Sequence, residues 1–122
     1  MKETLLLMGK FDNLNKLLGA ANHNRYVGAG IKKRNQARMV SQLQGIQPFE
    51  PHCSYSFHWH LSDKRQDPDN VATTVKYFFD ALQEVNIIPN DNWEYVKELH
   101  HYYYSDAPKG NEYVEVEITN EQ

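Results

Sequence analysis

The sequence predicts a single small α/β (α+β) domain with a mixed β-sheet and two main helices. Three patterns carry that expectation. Cys53 to Leu61 alternates apolar and polar residues, the period of a half-buried strand. Val71, Val75, Phe78, Leu82 and Val85 recur at steps of four and three, the period of a helix buried along one side. Glu112 to Thr119 alternates again, with Val114, Val116 and Ile118 on one face. The full order reads strand, basic helix, strand, acidic helix, strand, strand.

A chain of 122 residues suits one domain spanning 1–122 with its own core. Hydrophobic content of 40% and charged content of 24% are those of an ordinary globular protein, not a disordered one. One cysteine, Cys53, excludes an internal disulfide and fits a reducing compartment. The run Leu5-Leu6-Leu7-Met8 is too short for a membrane span or a signal-peptide core. A cytoplasmic protein with no membrane partner is expected.

Taken in order, Thr4 to Met8 reads as a short buried strand ended by Gly9. Lys10 to Gly30 is rich in Asn and Gly and reads as loops around a helical turn at Leu14 to Leu18. Ile31 to Gln44 reads as a helix stopped by Gly45, with a thin apolar stripe of Ile31, Met39, Val40 and Leu43. Arg25, Lys32, Lys33, Arg34 and Arg38 gather five of the thirteen basic residues in this region of a chain whose net charge is −3. Such a patch tracks a phosphate backbone or is a solvated helix face. Cations crowding a helix start oppose its macrodipole, a cost that either an anionic partner or good solvation of the helix offsets. Past the acidic helix, Trp93, Tyr95 and the run Val96 to Tyr104 suggest a strand. A turn at Asp106-Ala-Pro-Lys-Gly-Asn would fold it into an antiparallel hairpin with Glu112 to Thr119.

The chemistry concentrates between the second strand and the end of the acidic helix. The strand runs into Lys64, Arg65 and then Asp67-Pro-Asp-Asn70. Proline keeps Asp67 extended while Asp69 and Asn70 sit at the helix start, so a loop carboxylate and a helix-entry carboxylate reach one point. On the helix, Asp69, Thr73, Lys76 and Asp80 share a stripe opposite the apolar one. Asn90-Asp91 follows about one helix length later. Clustered carboxylates repel unless they share a cation or proton, and Mg²⁺ prefers oxygen ligands of this kind. The plainer explanation is that acids favour helix starts and Asp-Pro-Asp-Asn favours turns. The histidines carry no zinc-ligand spacing, and on the strand Cys53 faces away from His58 and His60.

These elements together resemble the RusA family of Holliday junction resolvases, its phage and Gram-positive-type branch. The resemblance rests on the basic run into Asp67-Pro-Asp-Asn70, then Asp80-Ala-Leu82, then Asn90-Asp91. Upstream, Leu14-Asn15-Lys16-Leu17 and Asn24-Arg25-Tyr26-Val27-Gly28-Ala29 before Lys32-Lys33 are similar to the family's N-terminal region. The resemblance implies a dimeric α/β fold and an Mg²⁺- or Mn²⁺-dependent endonuclease for four-way DNA junctions. It implies that Asp67, Asp69 and Asp91 hold the metal, with Asp80, Asn70 and Asn90 as auxiliary groups. The family's lysine position is Thr73 here. Lys76, three residues on and nearly above it, is the candidate for its contact with phosphate. Arg25, Lys32, Lys33, Arg34, Arg38, Lys64 and Arg65 are the expected DNA-binding residues. Two other readings stay open: a non-catalytic protein of this fold that binds junctions, and an interaction domain that binds no nucleic acid.

Overall fold

A four-stranded mixed sheet is built around strand β2 (Cys53–His60). Its residues alternate strictly between buried and half-buried, as the period-two pattern requires. The computed structural model describes residues 1–8, 25–62 and 74–120, leaving the side chains of residues 25–28, 31 and 32 undescribed. Within that range lie β1 (Lys2–Met8), helix α1 (Arg25–Ser41), β2, helix α2 (Thr74–Glu84), β3 (Val96–Tyr104) and β4 (Tyr113–Thr119). This is the predicted element order.

The sheet order is β1-β4-β2-β3, with β2 parallel to β3 and antiparallel to β4. The expected hairpin between the last two strands is therefore wrong, because β2 lies between them. The reason is burial. β2 contributes Cys53, Tyr55, Phe57 and Trp59, and β4 contributes Val114, Val116 and Ile118, all buried on one face. Two such rows belong at the centre. In β3 only Val96 and His101 are even half-buried, so it takes the edge. Residues 105–112 carry the chain past β2, anchored where Ala107 N–H donates to the Leu61 carbonyl at 3.1 Å. With β2 and β3 parallel, α2 is the crossover that parallel strands need.

Both helices cover the same sheet face. Met39 and Leu43 of the α1 region and Tyr77, Phe78, Phe79, Ala81 and Leu82 of α2 join the sheet residues in one core. The buried side of α2 is wider than the predicted stripe, and Val75 is only half-buried. Phe78 and Phe79 meet the Tyr55 and Phe57 rings mostly edge-on, at centroid distances from 5.0 to 6.4 Å. Val71 lies outside the described residues.

Helix α1 starts at Arg25, six residues before the predicted start at Ile31, so the end of the predicted loop is helical. The change alters an electrostatic inference. Lys32, Lys33 and Arg34 now sit about two turns inside the helix, beyond the first turn where the macrodipole acts. Their placement there needs no anionic partner to offset a dipole. The helix ends on turns that reach Gly45, whose φ of 80° favours glycine. Gln42 ties this end to β1: its Oε1 accepts from Met8 N–H at 2.6 Å, and its Nε2 donates to the Met8 carbonyl at 3.2 Å. β1 itself is half-exposed, with only Leu5 and Leu7 buried, because it forms the other edge of the sheet.

Cys53 is fully buried, and its thiol donates to the Glu50 carbonyl at 3.0 Å. Burial, aided by the Glu50 carboxylate, pushes its pKa up. A buried thiol held neutral is a poor nucleophile. A thiol-specific disulfide reagent at pH 8 is expected to label Cys53 no faster than the protein unfolds, and promptly in denaturant. Rapid labelling of the native protein would mean that β2 is not packed as described.

Candidate functional site

The exposed side of α2 and the turn before β3 form the described part of the predicted site. Lys76 and Asp80 are one helical turn apart on α2, and Lys76 Nζ lies 3.1 Å from Asp80 Oδ1. The pair is the predicted polar stripe of the helix, as far as it is described. The lysine is exposed and the carboxylate half-buried. An i,i+4 pair of this kind contributes only ~0.3–0.5 kcal/mol. The ammonium is thus lightly held and can turn to another anion.

Asp91 arrives from the other direction. After α2 the chain turns through Asn86, in the left-handed region with φ of 60°, and runs by way of Ile87 and Ile88, both buried, to the exposed Asn90 and Asp91. Those isoleucines peg the connection to the core. The turn from Asn92 to Tyr95 is fixed by backbone hydrogen bonds: Tyr95 and Val96 N–H both donate to the Asn92 carbonyl, at 3.1 and 2.8 Å. The Asn92 side chain adds an Asx turn, its Oδ1 accepting from Glu94 N–H at 3.1 Å. Glu94 in turn accepts at its carbonyl from His52 N–H at 2.6 Å, tying the turn to the start of β2.

An open depression of about 350 Å³ joins the two parts, lined by Val75, Lys76, Phe79, Asp91, Val96 and Leu99. Lys76 and Asp91 therefore share one surface concavity although fifteen positions separate them in sequence. Asp91 also lines a second concavity, of about 490 Å³, with Asn92, Trp93 and Glu94. The exposed Asp91 carboxylate offers the hard oxygen donor that Mg²⁺ takes.

The remaining predicted residues divide by location. Asp67, Asp69, Asn70, Lys64 and Arg65 lie outside the described residues, as do the side chains of Arg25 and Lys32. Lys33, Arg34 and Arg38 are exposed on α1, which packs on α2, where Gln36 Nε2 reaches Glu84 Oε2 at 3.5 Å. Among the described residues, no three or more His, Cys, Asp or Glu side chains gather as a metal site. Of the three aspartates predicted to hold metal, only Asp91 is within that range. None of the described helices is long and apolar enough to cross a membrane.

The outer sheet face, away from the helices, carries a second polar system. His58 Nε2 lies 3.0 Å from Glu117 Oε1, and its ring stacks on Tyr102 at 4.9 Å. His60 Nδ1 lies 2.9 Å from Asp106 Oδ1, its ring between Tyr104 and Tyr113 at 4.8 and 4.4 Å. On the helix face, His101 Nδ1 accepts the Trp59 indole N–H at 3.0 Å. Burial, helped by charge on His100, holds the His101 pKa below its ordinary value, so the ring is neutral at pH 7. His58, His60 and His101 thus each have a structural partner.

Phe79, Val96 and Leu99 were not expected as site walls, because their place around the same depression as Asp91 depends on how α2 crosses to β3. Trp93 was also expected to belong with the strand that runs to Tyr104, whereas β3 starts only at Val96. Trp93 is 92% exposed, on a turn beside Asp91. The aromatic pair Trp93 and Tyr95 reads as strand, and nothing along the chain marks the first of them as exposed. No family model matches this chain, and no curated protein matches it.

Proposed function

We propose that the protein is a metal-dependent endonuclease that resolves four-way DNA junctions by paired phosphodiester hydrolysis, working as a homodimer. The observation that supports this reading most is the shared depression of Lys76 and Asp91 beside the α2 crossover. It pairs a cation suited to phosphate with a carboxylate suited to a hard metal, on supports pegged to the core. The rest of the support is the sequence resemblance of Asp67-Pro-Asp-Asn70 and Asn90-Asp91 to the RusA family.

In this reading Asp91, with Asp67 and Asp69, holds Mg²⁺ or Mn²⁺. A bound divalent ion offsets phosphate charge and lowers the pKa of a water nucleophile. Lys76 leaves its weak pairing with Asp80 and stabilises the negative charge that grows on the phosphate oxygens. Asp80 holds the lysine in position until DNA arrives. Lys33, Arg34 and Arg38 of α1, with Arg25, Lys32, Lys64 and Arg65, hold the junction arms through phosphates, so affinity falls steeply with salt. A two-fold dimer matches the near two-fold symmetry of a junction and sets two sites on opposed strands.

The test is a labelled synthetic four-way junction against a matched linear duplex, with and without Mg²⁺ or Mn²⁺. Metal-dependent symmetric nicks in the junction alone are the expected result. Lys76→Ala should cut at least about tenfold more slowly while its unfolding midpoint stays near wild type, since the ion pair it removes is exposed. A junction bound and left whole at every metal concentration would leave a non-catalytic junction-binding protein. No binding to any DNA at low salt would end both readings.

A further inference from the structure

Among the described residues, Trp93 is the large hydrophobic side chain that the fold leaves most open. It is 92% exposed, whereas the other tryptophan, Trp59, is 4% exposed. Tryptophan has more apolar surface to bury than most side chains, so one almost wholly in solvent is a candidate contact surface. Flexibility does not explain it. The turn that carries it is fixed by the hydrogen bonds to the Asn92 carbonyl and Oδ1 and by His52 N–H on the Glu94 carbonyl. The indole is presented by a rigid support.

Its neighbours narrow what it meets. Asp91 is common to the depression that holds Lys76 and to the concavity that holds Trp93. The candidate metal ligand therefore stands between a phosphate-seeking cation and an open aromatic plane. Asp91 and Glu94 make the immediate surroundings acidic. A phosphate does not settle there by protein charge alone. A neutral aromatic face does, and every nucleobase has one.

We infer that Trp93 stacks on a base unpaired or unstacked at the branch point, placing the adjoining phosphate at Asp91 and Lys76. The inference rests on the junction-cutting reading above and assigns it a positioning residue selective for branched over linear DNA. In a regular duplex the bases are stacked on one another and offer the indole no face. At a branch point the step is already weakened, so little more is lost by opening it.

Two tryptophans make the test direct, because solvent-accessible emission comes from Trp93 alone. Protein in Ca²⁺ buffer is titrated with a four-way junction carrying 2-aminopurine at the crossover, and with a matched linear duplex. Tryptophan emission and its quenching by acrylamide are followed together with 2-aminopurine emission. Trp93→Ala and Trp93→Phe are titrated in parallel. The junction, and not the duplex, is expected to protect Trp93 from acrylamide and to alter 2-aminopurine emission. Trp93→Ala should bind the junction about tenfold more weakly, with duplex affinity and thermal midpoint unchanged, and Trp93→Phe should recover most of the loss.

If the junction binds wild type and Trp93→Ala equally and leaves Trp93 open to acrylamide, the stacking role is overturned and the junction reading stands. If Trp93 becomes protected as protein concentration rises without DNA, the indole belongs to a protein interface and the inference is likewise overturned. If wild type binds neither DNA, the functional reading itself fails and takes this role with it.

Discussion

Asp91→Asn is expected to lose at least about 100-fold in junction cutting while still binding junctions with wild-type affinity or better. The side chain is exposed, and the turn that carries it is held by backbone groups and Asn92. The substitution keeps the shape and removes one negative charge, so the fold is untouched. In the proposed reading it removes one anionic ligand of the divalent ion. Binding is expected to hold because the proposed DNA contacts are basic side chains elsewhere, and one carboxylate fewer would face the DNA. Gel-shift and cutting assays on the same junction, across a range of Mg²⁺, separate the two effects. Wild-type cutting by Asp91→Asn would remove the residue from the metal site. Loss of binding in step with cutting would instead give Asp91 a role in holding the DNA.

Phe57→Ala is expected to lower unfolding stability by about 3–5 kcal/mol. Phe57 is 1% exposed at the middle of β2, where the sheet, α2 and β3 meet. Its ring stacks on His101 at 5.0 Å and on Trp59 at 5.9 Å, and meets Phe78 edge-on at 5.6 Å. Truncation leaves a cavity that neither the central strand nor the crossover helix can collapse into without losing its other contacts. Domains of this size have roughly 5–15 kcal/mol of stability in all, so the variant is expected to be partly unfolded at 37 °C. Urea denaturation followed by tryptophan emission measures the change, because Trp59 packs against the same ring. A loss below about 1 kcal/mol would show that this aromatic cluster is not the centre of the core.

The strengths of sequence reading here were local. The alternation of Cys53 to His60 marked its strand and its buried face, because period two on a one-sided sheet leaves no other assignment. Fold class and element order followed from the same kind of signal. The start of α1 did not, since Gly28 and Gly30 look like loop residues although the helix runs through both. Glycine weakens a helix by about 1 kcal/mol without forbidding it, and packing against α2 outweighs that.

The site was legible as residue types and only in part as a place. Spacing along one helix brought Lys76 and Asp80 together, because a helix fixes its own surface. Nothing along the chain indicated that Leu99 and Val96 wall the same depression as Lys76 and Asp91, or that β3 lies at the edge beside β2 rather than in a hairpin with β4. Periodicity reports which face of an element is buried, because burial follows directly from side-chain chemistry. Which strands become neighbours is a competition among whole buried rows for the central positions. β2 and β4 took those positions through Phe57, Trp59, Val114 and Val116, and only the assembled tertiary structure decides such a contest.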